Sequence, residues 1–261
     1  MTKNIVEQIR QNRQTKFWGQ NIIYFDTIGS TNDEAKKTAA DGAAEGTVLL
    51  AATQTGGKGR LNRSFFCPAG GLWFSTILHP DVSPFDAPKY TLLAAVAVTD
   101  LLRSRKFAAK IKWPNDVYLN GKKLTGILTE TRLSGGQVDF VVLGIGINVN
   151  IDSASFSPEV RETATSLLIE GGKKLELADF MCDLMQKLEH YYVMAAQSGF
   201  SPIWDKWREY SLTLGQQVQV IDRHGGTFGG LAVDIDESGA LLVKTADGNI
   251  QPVLADDVSV R

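Results

Sequence analysis

Gln54-Thr55-Gly56-Gly57-Lys58-Gly59-Arg60-Leu61-Asn62-Arg63 places three glycines and three cations within ten residues. It follows an apolar run, Thr47 to Thr53, and leads towards another, Leu72 to Leu78; both have the length and flanking turn residues of buried strands. A glycine-rich basic loop in that place can fold its backbone N–H groups and its cations around an anion. Two standard phosphate motifs are absent. Lys58 is not followed by Ser or Thr, as a P-loop requires, and the dinucleotide fingerprint lacks its third glycine, because Asn62 stands there. The same composition also describes a solvated surface loop, so the segment alone supports anion binding and no more.

Working outward, Ile22 to Ile28 reads as a strand and Thr31 as the start of a helix, with Glu34 in capping-box order and Gly42 at its end. A polar, helix-like segment precedes them within Met1 to Trp18. Downstream, apolar side chains recur at three- and four-residue steps from Ala87 to Arg105, the pattern of a packed helix, and Ala109 to Lys112 resumes as strand. Asn120-Gly121 is a hairpin signal between Val117-Tyr118-Leu119 and Leu124 to Thr131, since both turn residues tolerate positive φ. Ser134-Gly135-Gly136 turns the chain into Val138 to Val149, a run so apolar that both of its faces need cover. Phe180, Leu184, Leu188 and Tyr191 mark an amphipathic helix over Ala178 to Tyr192, and a further helix holds Trp204 and Trp207. Beyond Ser211, short strands divided by His224-Gly225-Gly226, Glu237-Ser238-Gly239 and Asp247-Gly248-Asn249 predict a small β-barrel. The expected architecture is therefore an α/β (α+β) domain over residues 1–211 and a compact all-β domain over 212–261.

The bulk numbers exclude several classes. Twenty-seven basic against 29 acidic side chains in 261 residues leave a net charge of −2, which gives no dedicated nucleic-acid or membrane surface. Cys67 and Cys182 fit neither a disulfide framework nor a zinc motif, and Met1 to Trp18 lacks the apolar core of a signal peptide. The longest apolar run, Leu92 to Val98, is far short of a membrane span. A cytoplasmic protein is expected, with no membrane partner. His79, His190 and His224 have no carboxylate or cysteine at ligand spacing, and read as packing or surface residues.

Three further segments could carry chemistry, each with an ordinary reading beside it. In Lys112-Trp113-Pro114-Asn115-Asp116, Pro114 forces an extended turn that can aim Asn115 and Asp116 inward, although Pro-Asn-Asp is also common turn chemistry. Lys123 begins a strand otherwise written for burial, where Gly126 lets a ligand or another backbone approach; a solvent-facing strand end is the alternative. Gly144-Ile145-Gly146-Ile147-Asn148 repeats glycine in the most apolar strand, as a flat ligand or close helix packing would require.

In this order, Ser30-Thr31-Asn32, Gln54-Thr55-x-Gly57-Lys58-Gly59-Arg60, Lys112-Trp113-Pro114-Asn115-Asp116, Gly121-x-Lys123-Leu124-x-Gly126-Ile127-Leu128-x-Glu130 and Gly144-x-Gly146-Ile147-Asn148 resemble the biotin protein ligase family. The resemblance implies a seven-stranded-type mixed sheet, related to that of class II aminoacyl-tRNA synthetases, and a small C-terminal SH3-like domain. It implies ATP-dependent formation of biotinyl-5′-AMP, with Mg²⁺, and transfer of biotin to a lysine of a biotin carboxyl carrier protein. Some members carry an N-terminal DNA-binding winged helix. The short segment before the first strand here implies the monofunctional form without DNA as a partner, whether monomer or homodimer.

Carried over by position, Ser30, Thr31, Asn32 and Gln54 would bind the ureido ring of biotin. Gly59, Arg60, Gly126, Gly144 and Gly146 would line its pocket, and Lys123 would lie at its carboxylate and the α-phosphate. Lys58, Arg60, Arg63, Phe65, Asn115, Lys123 and Asn148 would face the nucleotide. Lys123, Arg60 and Asp116 are the expected catalytic residues, with Asp116 taking the proton of the carrier amine and Lys112 steadying it. The chain departs from the family pattern at Lys58, Leu61 and Asn62, and at Phe65 and Cys67, where tryptophan and serine are usual. A lipoate or octanoate ligase or transferase of the same fold, and a non-catalytic biotin-binding protein, are the alternatives.

Overall fold

The computed structural model describes residues 4–221, 226–254 and 257–260; His224 and Gly225 of the first expected barrel turn lie outside them. In chain order the elements of the larger unit are α1 (Asn4–Asn12), β1 (Ile22–Ile28), α2 (Thr31–Ala40), β2 (Val48–Gln54), β3 (Leu72–Leu78), α3 (Lys89–Ser104) and β4 (Lys110–Lys112). They continue with β5 (Asp116–Leu119), β6 (Lys122–Ser134), β7 (Gln137–Ile147), α4 (Pro158–Thr163), α5 (Leu167–Gly171), α6 (Leu177–Ser198) and α7 (Ser201–Tyr210). Five short strands follow, β8 (Gln217–Ile221), β9 (Thr227–Ile235), β10 (Leu241–Lys244), β11 (Ile250–Val253) and β12 (Asp257–Val260).

The first seven strands form one mixed sheet in the order β1-β2-β3-β7-β6-β5-β4. β1 and β2 run parallel; the other pairs are antiparallel. β3 and β7 read as near-continuous hydrophobic runs because they lie mid-sheet with both faces covered. Leu72, Phe74 and Leu78 of β3 and Val141, Leu143, Ile145 and Ile147 of β7 join the main core with α1, α3, α6 and α7. On the opposite face Ile77, Phe140 and Val142 pack with Ala35 and Ala39 of α2. Asn120 and Gly121 take φ of 48° and 79° at the β5–β6 turn, as their sequence requires.

Two local expectations shift. The helix cap is Ser30, not Thr31: its hydroxyl accepts from the Asp33 N–H, while Glu34 pairs with Lys37 at 3.0 Å instead of returning to the cap. The short helices α4 and α5 were not foreseen; Ser157 and Ser166 cap them by accepting from Val160 and Ile169 N–H groups.

The last five strands make a separate antiparallel sheet, β11-β10-β9-β8-β12. It is joined to the larger unit at the segment after β4: the Trp113 indole donates to Gly239 O at 3.1 Å, and Trp113 N–H to Thr213 Oγ1 at 2.9 Å. Arg208 of α7 pairs with Asp234 of β9 at 2.7 Å. Among the described residues no helix is long and apolar enough to cross a membrane.

Candidate active site

The glycine-rich loop is a small hairpin. Gln54 bridges to Cys67 and Lys58 to Ser64 in antiparallel fashion, the Phe65 N–H donates to Gly57 O at 2.8 Å, and the Gly59 N–H to Arg63 O at 2.7 Å. Its arms are so close that a β-carbon at Gly57 would stand 2.4 Å from Phe65 O and 2.7 Å from Cys67 Sγ. At the tip Leu61 is exposed and left-handed, with φ 53°. The Cys67 thiol lies in the buried root of the hairpin, and burial pushes its pKa up to about 12, against a smaller opposing pull from Gln54.

Beneath this hairpin the sheet opens into a polar hollow lined by Ser30, Thr31, Asn32, Gln54, Lys58, Phe65, Gly126, Gly144 and Gly146. Its hydrogen bonds have a fixed direction. Gln54 Oε1 accepts from the Thr31 backbone N–H at 2.7 Å and the Thr31 hydroxyl at 3.0 Å, so its amide nitrogen is left to donate to Cys67 Sγ at 3.1 Å. Ser75 of β3 donates its one proton to Asn32 Oδ1 at 2.6 Å, and its oxygen lies 2.7 Å from the Thr31 hydroxyl. Asn32 Nδ2 donates to Glu130 Oε2 at 2.9 Å, and Lys36 meets the other oxygen of Glu130 at 2.7 Å.

The glycines make the room for this arrangement. A β-carbon at Gly144 would stand 2.0 Å from Asn32 Oδ1, and those at Gly126 and Gly146 would meet the Phe65 ring at 2.8 and 2.7 Å. Protein side chains therefore lie on these glycines, where the sequence allowed a flat ligand or a packed helix. Asn32 is turned towards Ser75 and Glu130, so it supports the hollow from behind. Phe65 lies across the floor, edge-on to Trp73, with the Lys123 ammonium 5.5 Å from its ring centre.

On the far side of Phe65 a cationic cleft is lined by Lys58, Gly59, Arg60, Arg63, Lys112, Asn115, Asp116, Lys123 and Gly126. Lys123 and Asp116, on the paired strands β6 and β5, form an ion pair of 2.7 Å. Lys112 lies across the β4–β5 ladder from Asp116 with its ammonium over the Tyr118 ring, so the partner that steadies Asp116 is Lys123. Asn115 is locked to β6 through Ile127 O at 2.9 Å and accepts from Arg60 at 3.4 Å. Lys58 pairs with Asp33 at 2.7 Å. A third hollow shares Arg63, Phe65, Asp116 and Lys123 and reaches Asn148, Phe156 and Val160; Asn148 is anchored there by donating to Thr165 O at 2.9 Å.

The expected site residues thus converge on three adjoining hollows around Phe65. Sequence reasoning missed Ser75 and Lys36 and gave Glu130 no part, although Glu130 stood within a quoted motif. Away from the site, His79 bonds the Ala43 and Asp139 carbonyls, and His190 packs on Tyr191. No cluster of three or more metal-type ligands occurs among the described residues.

Residues 24–148 match the Biotin/lipoate A/B protein ligase family and residues 213–261 the Biotin protein ligase C terminal domain. The chain is 39% identical over 255 residues to the bifunctional ligase/repressor BirA of Bacillus spizizenii, covering 97% of this chain and 78% of that one. The chain belongs to the biotin protein ligase family. It is also 34% identical to the biotin–[acetyl-CoA-carboxylase] ligase of Paracoccus denitrificans, over 84% of this chain and 92% of the relative. Among solved structures, the biotin protein ligase of Aquifex aeolicus in complex with biotin and ATP superposes with a TM-score of 0.80 at 29% identity, over 93% of this chain and 99% of that one. The seven-stranded mixed sheet with a small antiparallel sheet behind it is the fold that the resemblance implied.

Proposed function

We propose that this chain joins biotin to ATP as biotinyl-5′-AMP and then passes the biotinyl group to one lysine of a biotin carboxyl carrier domain. The observation that carries the reading is a polar, directed hollow that adjoins the Lys123–Asp116 pair across the Phe65 ring on a shared glycine floor. The ureido ring brings one acceptor and two donors, and Ser30, Thr31 and Gln54 offer hydroxyls and an amide to match them. A bare acyl chain, as in the lipoate or octanoate alternative, would have no use for a hollow whose Thr31, Gln54 and Ser30 groups already pair in a fixed polar arrangement that a ureido ring can exchange with.

In the first step a biotin carboxylate oxygen attacks the α-phosphorus and pyrophosphate leaves. Two anions must meet, and Lys123, with Arg60 and Lys58 at the cleft rim, offsets their repulsion. The Lys123 ammonium has three donors, so it can hold Asp116 and still reach an incoming carboxylate or phosphate oxygen. In the second step the carrier amine attacks the acyl carbon, the bond to the AMP oxygen breaks, and Asp116 takes the proton that the amine gives up. Asp116 is the one carboxylate lining the cleft among the described residues, and Lys123 already engages it. These residues do not fit a resident divalent-cation site; Mg²⁺ belongs with the triphosphate as substrate, and no step here is routed through it.

Closing the hairpin over the adenylate would exclude water, the competing nucleophile. The free, buried thiols fit a reducing, cytoplasmic setting. The direct test is incubation with biotin, Mg-ATP and a biotin carrier domain, which should add the mass of one biotin. Binding of biotin without AMP formation would favour the non-catalytic alternative. Asp116→Ala should spare pyrophosphate release relative to transfer; equal loss of both steps would remove Asp116 from the role of base.

A further inference from the structure

Glu130 of β6 touches no expected ligand position, yet it is where the directed hydrogen bonds of the polar hollow begin. An ionised carboxylate accepts only, so the Asn32 amide turns its NH2 towards Glu130 Oε2, 2.9 Å away, with the Leu128 carbonyl a longer second acceptor at 3.4 Å. Asn32 Oδ1 then faces Ser75, which donates to it at 2.6 Å and lies 2.7 Å from Thr31 Oγ1. Thr31 in turn donates to Gln54 Oε1 at 3.0 Å. Asn32 is 5% exposed and seated on Gly144, so an amide turned the wrong way has no water to compensate it. Lys36, which also pairs with Asp33 at 3.0 Å, holds the second carboxylate oxygen.

We propose that Glu130 is the positioning residue that sets the hydrogen-bond direction of the biotin head pocket, acting through Asn32, and that its acceptor oxygen rather than its charge is what matters. The inference rests on the biotin reading above. Removing the shorter of its two acceptors loosens Asn32 on Gly144, and with it the Ser75 contact behind Thr31, the residue that faces the ureido ring. The cost falls on binding of the ring and not on chemistry at Lys123, on the other side of Phe65.

The test measures biotin-dependent pyrophosphate release by full-length protein, with KM and kcat separated for biotin and for ATP. Glu130→Ala should raise the biotin KM about 30-fold, the worth of one buried hydrogen bond to a charged group, with kcat and the ATP KM within about threefold. Desthiobiotin, which keeps the ureido ring, should weaken in parallel. Glu130→Gln made together with Lys36→Met keeps an acceptor oxygen for Asn32 with no cation competing for it and should restore most of the affinity; Lys36→Met, which removes the cation alone, should change the biotin KM less than about threefold.

If Glu130→Ala does not fold, Asn32→Asp serves instead. It sets two carboxylates against each other and should lose affinity, and the double variant N32D/E130Q, with donor and acceptor exchanged, should regain it. An unchanged biotin KM, an equal loss for ATP, a Lys36→Met variant as weak as Glu130→Ala, or no recovery in the double variant would each overturn the proposal. Wild-type protein without biotin-dependent pyrophosphate release would instead overturn the biotin reading itself, which separates the two failures.

Discussion

The head pocket and the hairpin above it are built on opposite terms. In the pocket, Ser30, Thr31, Asn32 and Ser75 are buried, and their hydrogen bonds tie together α2, β3 and β6. In the hairpin, Lys58, Leu61, Arg63 and Ser64 are exposed; Phe65 anchors its root against Trp73, and its outer part is held by the Arg60–Asn115 hydrogen bond and by the Lys58–Asp33 pair, whose side chains are 47% and 39% accessible. Such an exposed pair is worth less than about 1 kcal/mol, so the tip of the hairpin is held less firmly than the pocket. In the proposed mechanism, recognition of the ring falls to the more tightly held part, and protection of the intermediate to the more loosely held one.

The same substitution in each region tests this division most severely. Gly144→Ala puts a β-carbon 2.0 Å from Asn32 Oδ1 and displaces Asn32. Biotin affinity should fall at least about 100-fold, with about 1–3 kcal/mol of global stability lost to overpacking, as titration calorimetry and thermal melts would show. Gly57→Ala crowds Phe65 O and Cys67 Sγ in the hairpin. It should leave the melting temperature nearly unchanged and biotin binding within about fivefold, while hydrolysis of the adenylate rises about tenfold in a transfer-free assay. Comparable global destabilisation by both variants would dissolve the contrast.

Asp33 offers a gentler probe. Burial works to raise its pKa, but hydrogen bonds from Lys58 and Lys36 outweigh it and hold the carboxyl below the usual 3.8. A depressed acid stabilises above its unfolded pKa and loses that contribution as pH falls through the folded one. Tryptic cleavage at Lys58, Arg60 and Arg63 should therefore be steady above about pH 5 in wild-type protein, rise about threefold in Asp33→Asn, and fall in both when biotin and ATP are added. Cleavage indifferent to ligand would count against the lid. The smallest signal belongs to Cys67. With its thiol near 12, about one part in ten thousand is thiolate at pH 8, so alkylation should be very slow and should climb tenfold per pH unit. Rapid labelling at pH 8 would mean that the root of the hairpin opens with its tip.

What the sequence disclosed follows the range of the physical signals. The sheet was legible because β3 and β7 are apolar on both faces, and Asn120-Gly121 permits little else than a tight turn. The anion-binding character of the Gln54 to Arg63 loop was legible because its glycines and cations are contiguous, but its hairpin pairing was not. Ser75 and Lys36 were not, because their meeting with Asn32 and Glu130 depends on strand register, which joins residues distant in the chain. The helix start at Thr31 was read correctly, but its cap was misplaced by one residue because Ser30 and Thr31 are both competent caps. The helices α4 and α5, of six and five residues, are too short for periodicity to reveal.

Trp113 gives the small sheet a lever arm. Its indole grips Gly239 in the turn between β9 and β10, and three residues further along the chain stands Asp116. A displacement of that turn would pull on the segment that carries Asp116, so in the proposed mechanism whatever leans on the small sheet would also bear on the acceptor of the carrier amine's proton.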